Sequence, residues 1–497
     1  MANNLSSGKK VISNSIIYTV SGLLQKCFSF FLIPLYTAFL STEDYGITNL
    51  ANNFLTTMSF VVSFSIFSAV MRFYVDLKAD KERLKRFYGT VVLFTYGSSI
   101  VFFIICTCFR NTVSRLLFSG IDFYPVIIVS LISLVFLCQQ TIYDNILRSQ
   151  QRALKASVLS FLYFIITITL NIIFVVVLKL GAIGIIGAMA ISNIIYTIYF
   201  HIDTIKNKEI YFCFDCQLLK EALKYSIPIM PHNLSTNIAS FISSILIGNT
   251  VNLASLGVYS IAIQFGSIAD TVQGYVNAAY APWLYERLHE KNDGYKEHIR
   301  KIVNMLCAAI GVFLILIALM SYDYILLFVN EKYDYAWNYV PLIVEVYVIK
   351  IMYYFYVNVL FYFKKASRLL FTATLSSSIL NLVASAILIP LLSVYGSILA
   401  DGIAMIIRVA IVVFISKKFE DVGLRVKDFI KHMMIISIFI IVGLAPSYLY
   451  YDTSYSLVNL CYRAIVALIY ISIQLIVYKS EIKQIVTTVR RRPVMKS

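Results

Sequence analysis

Few charged side chains stand inside the apolar stretches of this sequence, and those few are the first candidates for chemistry. The cations are Lys26, Lys350, Arg408 and Arg463; the acids are Asp270, Glu345 and Asp401. An ionised group at mid-bilayer costs roughly 2.5–3.5 kcal/mol on insertion scales, so one that persists usually faces a cavity or a partner. Lys26, Lys350 and Arg408 suit an anionic headgroup such as a diphosphate or an acidic sugar, Arg as a bidentate fork and Lys as a point charge. Gln25, beside Lys26, is a further substrate-binding candidate. Intramembrane ion pairing would explain the same cations without a ligand. Asp401 lies on the same helical face as Arg408 but about 10 Å away along the axis, which favours a shared cavity wall over a direct pair. Glu345 and Lys350 point about 140° apart around a helix and make poor partners. Arg463, near an outer helix end, is expected to snorkel.

Asp270, Glu345 and Asp401 are candidates to bind a proton or a sodium ion for coupling; balancing nearby cations is the competing explanation. Asn171 and Asn381 either line the same cavity or hydrogen-bond between helices. His232 reads as an interfacial residue. Cys213 and Cys216 form a C-x-x-C without a second ligand pair nearby, and the other cysteines lie mostly in apolar runs. No metal, cofactor or disulfide framework is therefore expected.

The elements that must position these residues are membrane spans. The chain is 59% hydrophobic and 14% charged, against roughly 25% charged in soluble domains. Apolar segments of about 20 residues recur throughout, the length that crosses a bilayer as a helix. Fourteen spans are predicted, at 11–40, 47–72, 87–109, 123–147, 157–179, 181–203, 225–247, 254–282, 301–321, 338–363, 369–391, 395–416, 433–451 and 457–479. The stretch from Val11 to Leu40 is longer than a secretory signal core, which predicts a retained first helix.

Lys and Arg set the orientation. The N-terminus, every second loop and the C-terminal tail hold 34 of them, and the opposite loops only Arg110, Arg115, Lys179 and Lys332. Both termini are therefore expected in the cytoplasm. The net charge of +16 follows from this bias and needs no nucleic acid. The charged stretches 76–86 and 283–300 read either as interfacial helices on anionic lipid or as solvated loops.

The sequence also resembles itself at a shift of 210 or 211 residues. Lys155-Ala156-Ser157 recurs as Lys365-Ala366-Ser367, Leu170-Asn171 as Leu380-Asn381, and Leu116-Leu117-Phe118 as Leu326-Leu327-Phe328. Gly46 and Gly257 stand at matching places. An even number of helices per repeat keeps both halves in the same orientation. The expected fold is thus an all-α integral membrane protein of two six-helix bundles, 1–203 and 225–416, related by a pseudo-two-fold along the membrane normal. Two further helices occupy 433–479. Parallel repeats of this kind place a substrate site between the halves of a transporter.

The first span ends Ile33-Pro34-Leu35-Tyr36, followed by Leu40-Ser41-Thr42-Glu43-Asp44-Tyr45-Gly46. This resembles the opening motif of the polysaccharide and O-antigen flippases, the Wzx-like branch of the multidrug/oligosaccharidyl-lipid/polysaccharide exporter superfamily. Leu147-Arg148-Ser149-Gln150-Gln151-Arg152, Tyr225-Ser226-Ile227-Pro228 and Leu256-Gly257-Val258-Tyr259-Ser260 are similar points. The resemblance implies an alternating-access transporter in a bacterial inner membrane. It would flip a polyprenyl-diphosphate-linked oligosaccharide, with membrane lipids and polysaccharide assembly proteins as further partners. Multidrug exporters and other lipid-precursor flippases share that architecture, so the fold leaves the substrate open. An integral-membrane glycan-processing enzyme is the rival class. The longest outer loop, 322–337, is short for a catalytic insertion, and no phosphate-cradling G-x-x-x-x-G-K-[S/T] loop is present.

Overall fold

The computed structural model describes residues 2–481 and 483, and of residues 2–16, 236 and 364–368 the backbone alone. Arg490, Arg491, Arg492 and Lys496 of the expected cytoplasmic tail lie outside the described residues. Among the described residues every regular element is helical. The chain forms two compact units, 1–260 with 378–397, and 261–377 with 398–497.

The first unit opens with α1 (Ala2–Phe31), α2 (Ile33–Phe39), α3 (Thr42–Val62) and α4 (Phe67–Leu77). It continues through α5 (Lys81–Cys108), α6 (Arg110–Leu117), α7 (Ile128–Ser149), α8 (Ala153–Asn171) and α9 (Ala182–Lys206). The linker helix α10 (Cys216–Ser226) and α11 (Met230–Thr250) follow. α12 (Leu253–Glu290) starts in this unit and passes into the second, which holds α13 (Tyr295–Phe328) and α14 (Val340–Tyr362). α15 (Lys364–Leu392) and α16 (Val394–Phe419) meet at a turn that belongs to the first unit. α17 (Val426–Pro446) and α18 (Leu457–Val477) complete the second.

Among the described residues twelve helices are long and apolar enough to cross a membrane, and α3 with α4, bent by 45°, counts as a thirteenth when the pair is taken as one span. The remaining expected span is α11. Its polar residues lower its hydropathy, and several find partners within the unit. Asn53 Nδ2 donates to Ser244 Oγ at 2.8 Å, Thr57 Oγ1 to the Asn237 carbonyl at 3.2 Å, and Asn233 Nδ2 to Ser68 Oγ at 3.3 Å. α11 is thus less apolar than the spans found, and its polar side chains are paired within the unit rather than left open.

The opening motif has a structural account. Ser41 caps α3: its Oγ accepts from the Asp44 amide, and the Asp44 carboxylate accepts from the Ser41 amide. This reciprocal box satisfies two of the helix's unpaired N-terminal donors. The other Asp44 oxygen accepts from the Ala182 amide at 2.9 Å, holding the start of α9 where Gly181 adopts φ +61°. Gly46 and Gly257 then bring α3 and α12 together. A Cβ on either would meet the other helix's carbonyl oxygen, at Leu253 and Thr42.

The core of the first unit gathers Phe87, Val91, Tyr143, Ile146, Phe200 and Leu218 from α5, α7, α9 and α10. The linker before α10 lies across α5 at Gly89, where a Cβ would strike the Tyr211 carbonyl. Thr90 Oγ1 pins it by donating to the Cys213 carbonyl at 3.1 Å and accepting from the Asp215 amide at 3.0 Å. Asp215 caps α10 through the amides of Gln217 and Leu218.

In the second unit α13 packs against α14, α17 and α18. Its end is tied to α18 by an ion pair between Asp323 and Arg463, whose side chains are 8% and 0% exposed. Arg463 also donates to Ser447 Oγ and lies 4.2 Å from the Tyr322 ring centroid. The expected snorkelling of Arg463 is thus replaced by a sealed pair, because Asp323 continues the helix beyond the predicted span end and faces it. The 283–300 stretch extends α12 and α13, and its cations meet acids: Lys291 pairs with Glu420, Lys296 with Asp421 and Arg300 with Asp428. Between α16 and α17 the Gly423 amide and Lys296 hold the Asp421 carboxyl below its ordinary range.

Candidate substrate-binding site

The second unit assembles most of the charged candidates on α12, α14 and α16. Lys350 Nζ on α14 lies 2.6 Å from Asp270 Oδ1 on α12. The Tyr354 hydroxyl donates to the same carboxylate oxygen at 3.0 Å. Lys350 Nζ is 5.3 Å from the ring centroids of both Tyr347 and Tyr354, within the range of cation–π attraction. Two further bonds hold the helices in this register. Gln273 Nε2 donates to the Tyr347 carbonyl at 2.7 Å, and Asn358 Nδ2 to Asn277 Oδ1 at 2.6 Å.

Arg408 on α16 donates through Nε to Ser377 Oγ at 2.8 Å. Tyr353 and Asp401 are within electrostatic reach of it, and the Tyr353 ring lies 5.9 Å from that of Tyr354. Gly402 faces Val346, which sets α16 beside α14. The neighbouring Tyr353 and Tyr354 rings thus link the surroundings of Arg408 to those of the Lys350–Asp270 pair. Glu345 is on another face of α14. Its Oε2 accepts from Ser437 Oγ on α17 at 2.6 Å, and its buried Oε1 has no hydrogen-bond partner among the described residues. Lys350 and Glu345 are therefore apart, as their spacing requires.

The other candidates belong to the first unit. Lys26 is exposed and has no ion pair or hydrogen bond among the described residues. Gln25 turns the other way, with Nε2 donating to Ser160 Oγ on α8 and to Ser21 Oγ, each at 3.2 Å. Asn171 Nδ2 donates to the Tyr36 hydroxyl at 3.2 Å. Asn381 Oδ1 accepts from Ser385 Oγ at 3.4 Å, and Ser385 in turn meets Ser243 on α11 at 3.3 Å. Asn171 thus joins α8 to α2, and the Asn381 partner Ser385 joins α15 to α11.

The sequence profile of the family described as "Polysaccharide biosynthesis protein" matches residues 11–286, more than half of the chain. The chain belongs to this polysaccharide biosynthesis family. A protein of Haemophilus influenzae named "Uncharacterized membrane protein" is 25% identical over 378 residues, covering 74% of this chain and 88% of that protein. "Lsg locus putative protein 1" of the same organism is 24% identical over 289 residues, 57% of this chain and 68% of that one. Among solved structures, the lipid II flippase MurJ in an inward closed conformation superposes with a TM-score of 0.70 at 16% identity, covering 94% of this chain and all of that one. An inward-facing multidrug resistance MATE family transporter of the MOP superfamily gives 0.61 at 16% identity over 83% and 95%. The fold of this polysaccharide biosynthesis protein is that of these helical transporters. Family and fold together make it an all-helical membrane protein of polysaccharide biosynthesis, with helices long and apolar enough for many spans.

Several paired polar groups in this family member were not among the candidates drawn from the sequence. Tyr196 donates to Asp144 in the first unit, and Tyr163 donates to Asn193 Oδ1 at 3.0 Å. Lys155 pairs with Asp203 at 2.6 Å, and the Tyr143 hydroxyl donates to the same carboxylate at 2.7 Å. Asp144 lies inside the predicted fourth span, so the cost of an intramembrane charge was a sufficient signal. Asp203 and Asp323 sit at predicted span ends, where a two-residue shift of boundary hides a buried charge as a loop residue. The tyrosines gave no signal, since a tyrosine in an apolar helix is equally a core residue.

Proposed function

We propose that the protein flips a polyprenyl-diphosphate-linked oligosaccharide across the bacterial plasma membrane by alternating access, in the assembly of a surface polysaccharide such as O-antigen or capsule. Both termini lie in the cytoplasm, and the bundles 1–203 and 225–416 rock about a shared cavity. The observation that carries the reading is the clustering of Lys350 and Arg408 with tyrosines on α14 and α16, in a member of a polysaccharide biosynthesis family. Cations held among hydroxyls and aromatic faces suit a diphosphate and its first sugars, since Arg and Lys bind phosphate oxygens and sugar rings stack on tyrosine. Lys26 supplies a further cation from the first bundle. The polyprenyl tail stays in lipid while the polar headgroup crosses. Asp270, Glu345 and Asp401 are the carboxylates available to couple the step to protons or sodium.

Deleting the gene in its own host tests this. The lipid-linked oligosaccharide should accumulate in the inner leaflet while surface polysaccharide is lost, and Lys350→Gln with Arg408→Gln should fail to restore it. Normal surface polysaccharide in the deletion strain would contradict the reading.

A further inference from the structure

Two intramembrane ion pairs of the second unit differ in a telling way. The Asp323–Arg463 pair is sealed, with side chains 8% and 0% exposed. In the Lys350–Asp270 pair the cation is 17% exposed and the anion 42%. The lysine is fixed between the Tyr347 and Tyr354 rings, while its carboxylate partner stands toward open space. That space lies on the side of Gly274, one turn along α12 from Asp270, where an added Cβ would meet nothing within 4 Å. One turn the other way, a Cβ on Gly266 would meet Ile343 at 2.6 Å and Tyr347 at 3.0 Å, so that side is closed. The pair is also incompletely satisfied. An ammonium has three donors, and among the described residues Lys350 finds one acceptor oxygen. Asp270 Oδ1 accepts twice, and Oδ2 accepts from no donor among the described residues.

We propose that Asp270 is a built-in counter-anion, which occupies Lys350 while the site is empty and is displaced by a phosphate oxygen of the substrate headgroup. The inference rests on the transport reading above. The position of Asp270 Oδ1, reached by both Lys350 and the Tyr354 hydroxyl, marks where that oxygen docks. Exchange of one anion for another keeps Lys350 paired in both states, so no step leaves a lone cation among apolar helices. It also sets the affinity. A headgroup must compete with Asp270, and the returning carboxylate drives its release on the far side. Asp270 is thus a specificity residue: it selects a ligand with enough anionic oxygens to outcompete one carboxylate.

The test uses the full chain in lipid nanodiscs and inorganic pyrophosphate as the probe, titrated by calorimetry. Asp270→Asn should bind pyrophosphate at least about tenfold more tightly than wild type, the low end of what close charge pairs are worth. Lys350→Gln should abolish binding in both backgrounds. Equal or weaker binding by Asp270→Asn, with Lys350→Gln still abolishing it, overturns the counter-anion role and leaves the headgroup site standing. Binding that survives Lys350→Gln overturns both. As a guard against misfolding, pyrophosphate should raise the melting temperature of Asp270→Asn more than that of wild type; an equal or smaller rise counts against the proposal.

Discussion

Replacing Gly46 with alanine tests the helix crossing that the opening motif builds. The new Cβ would sit 1.9 Å from the Leu253 carbonyl oxygen and 2.9 Å from its carbon. Real Cβ contacts essentially never fall below 3.0 Å, so α3 and α12 must move apart by at least 1.1 Å, from 1.9 to 3.0 Å. The obstacle is backbone, which cannot rotate aside as a side chain would. Overpacking of this kind costs about 1–3 kcal/mol, and a backbone obstacle puts it at the upper end. Alanine in a helix interior gains about 1 kcal/mol over glycine, which leaves a net loss of about 2 kcal/mol. Gly257→Ala should behave alike, its Cβ lying 1.8 Å from the Thr42 oxygen. The double variant should cost less than the sum, since one separation relieves both clashes. Gly97→Ala on α5 is the control, because its Cβ would meet nothing within 4 Å. Thermal unfolding in one detergent compares the four. Gly46→Ala as stable as Gly97→Ala would refute the crossing.

Three further outcomes are expected. Asp323→Asn should destabilise by about 3–5 kcal/mol, because it leaves a buried arginine without its carboxylate; adding Arg463→Met should recover most of that in the same melts, and no recovery would mean the pair is not the cause. Reporter fusions after residues 330 and 454 should read as outside and those after 290 and 425 as cytoplasmic; one inverted reporter breaks the orientation. Neutralising Asp270, Glu345 and Asp401 one at a time should abolish ion-driven transport at the coupling carboxylate while headgroup binding persists, and undiminished transport in all three removes ion coupling through them.

The helical membrane fold was legible because hydropathy acts over twenty-residue windows, where local exceptions average out. α11 was predicted as a span from its apolar stretch, yet Asn233, Asn237 and Ser244 keep it below the hydropathy of the other spans. The spacing of Glu345 and Lys350 correctly separated them, because angle around one helix is a local quantity. Which residue on another helix each would face was not local. Lys350 with Asp270, Arg408 with Ser377 and Arg463 with Asp323 are pairings across 80, 31 and 140 residues. Sequence position alone cannot orient those faces. Asn171 joins α8 to α2 through Tyr36, while Asn381 bonds within α15 to Ser385, which itself meets Ser243 on α11. The L-S-T-E-D-Y-G stretch, read as a mark of family, has a structural cause in the cap of Ser41, the brace of Asp44 and the crossing at Gly46.

The central claim is movement of a lipid-linked glycan between leaflets, and reconstitution measures it directly. Purified protein would be placed in proteoliposomes with a fluorescent polyprenyl-diphosphate oligosaccharide, and outer-leaflet label would be followed with a membrane-impermeant quencher. The account predicts that wild type exposes inner-leaflet substrate to the quencher over time, and that the triple variant Lys26→Gln, Lys350→Gln, Arg408→Gln does not. Wild-type rates no faster than protein-free liposomes, or full activity in the triple variant, would contradict it.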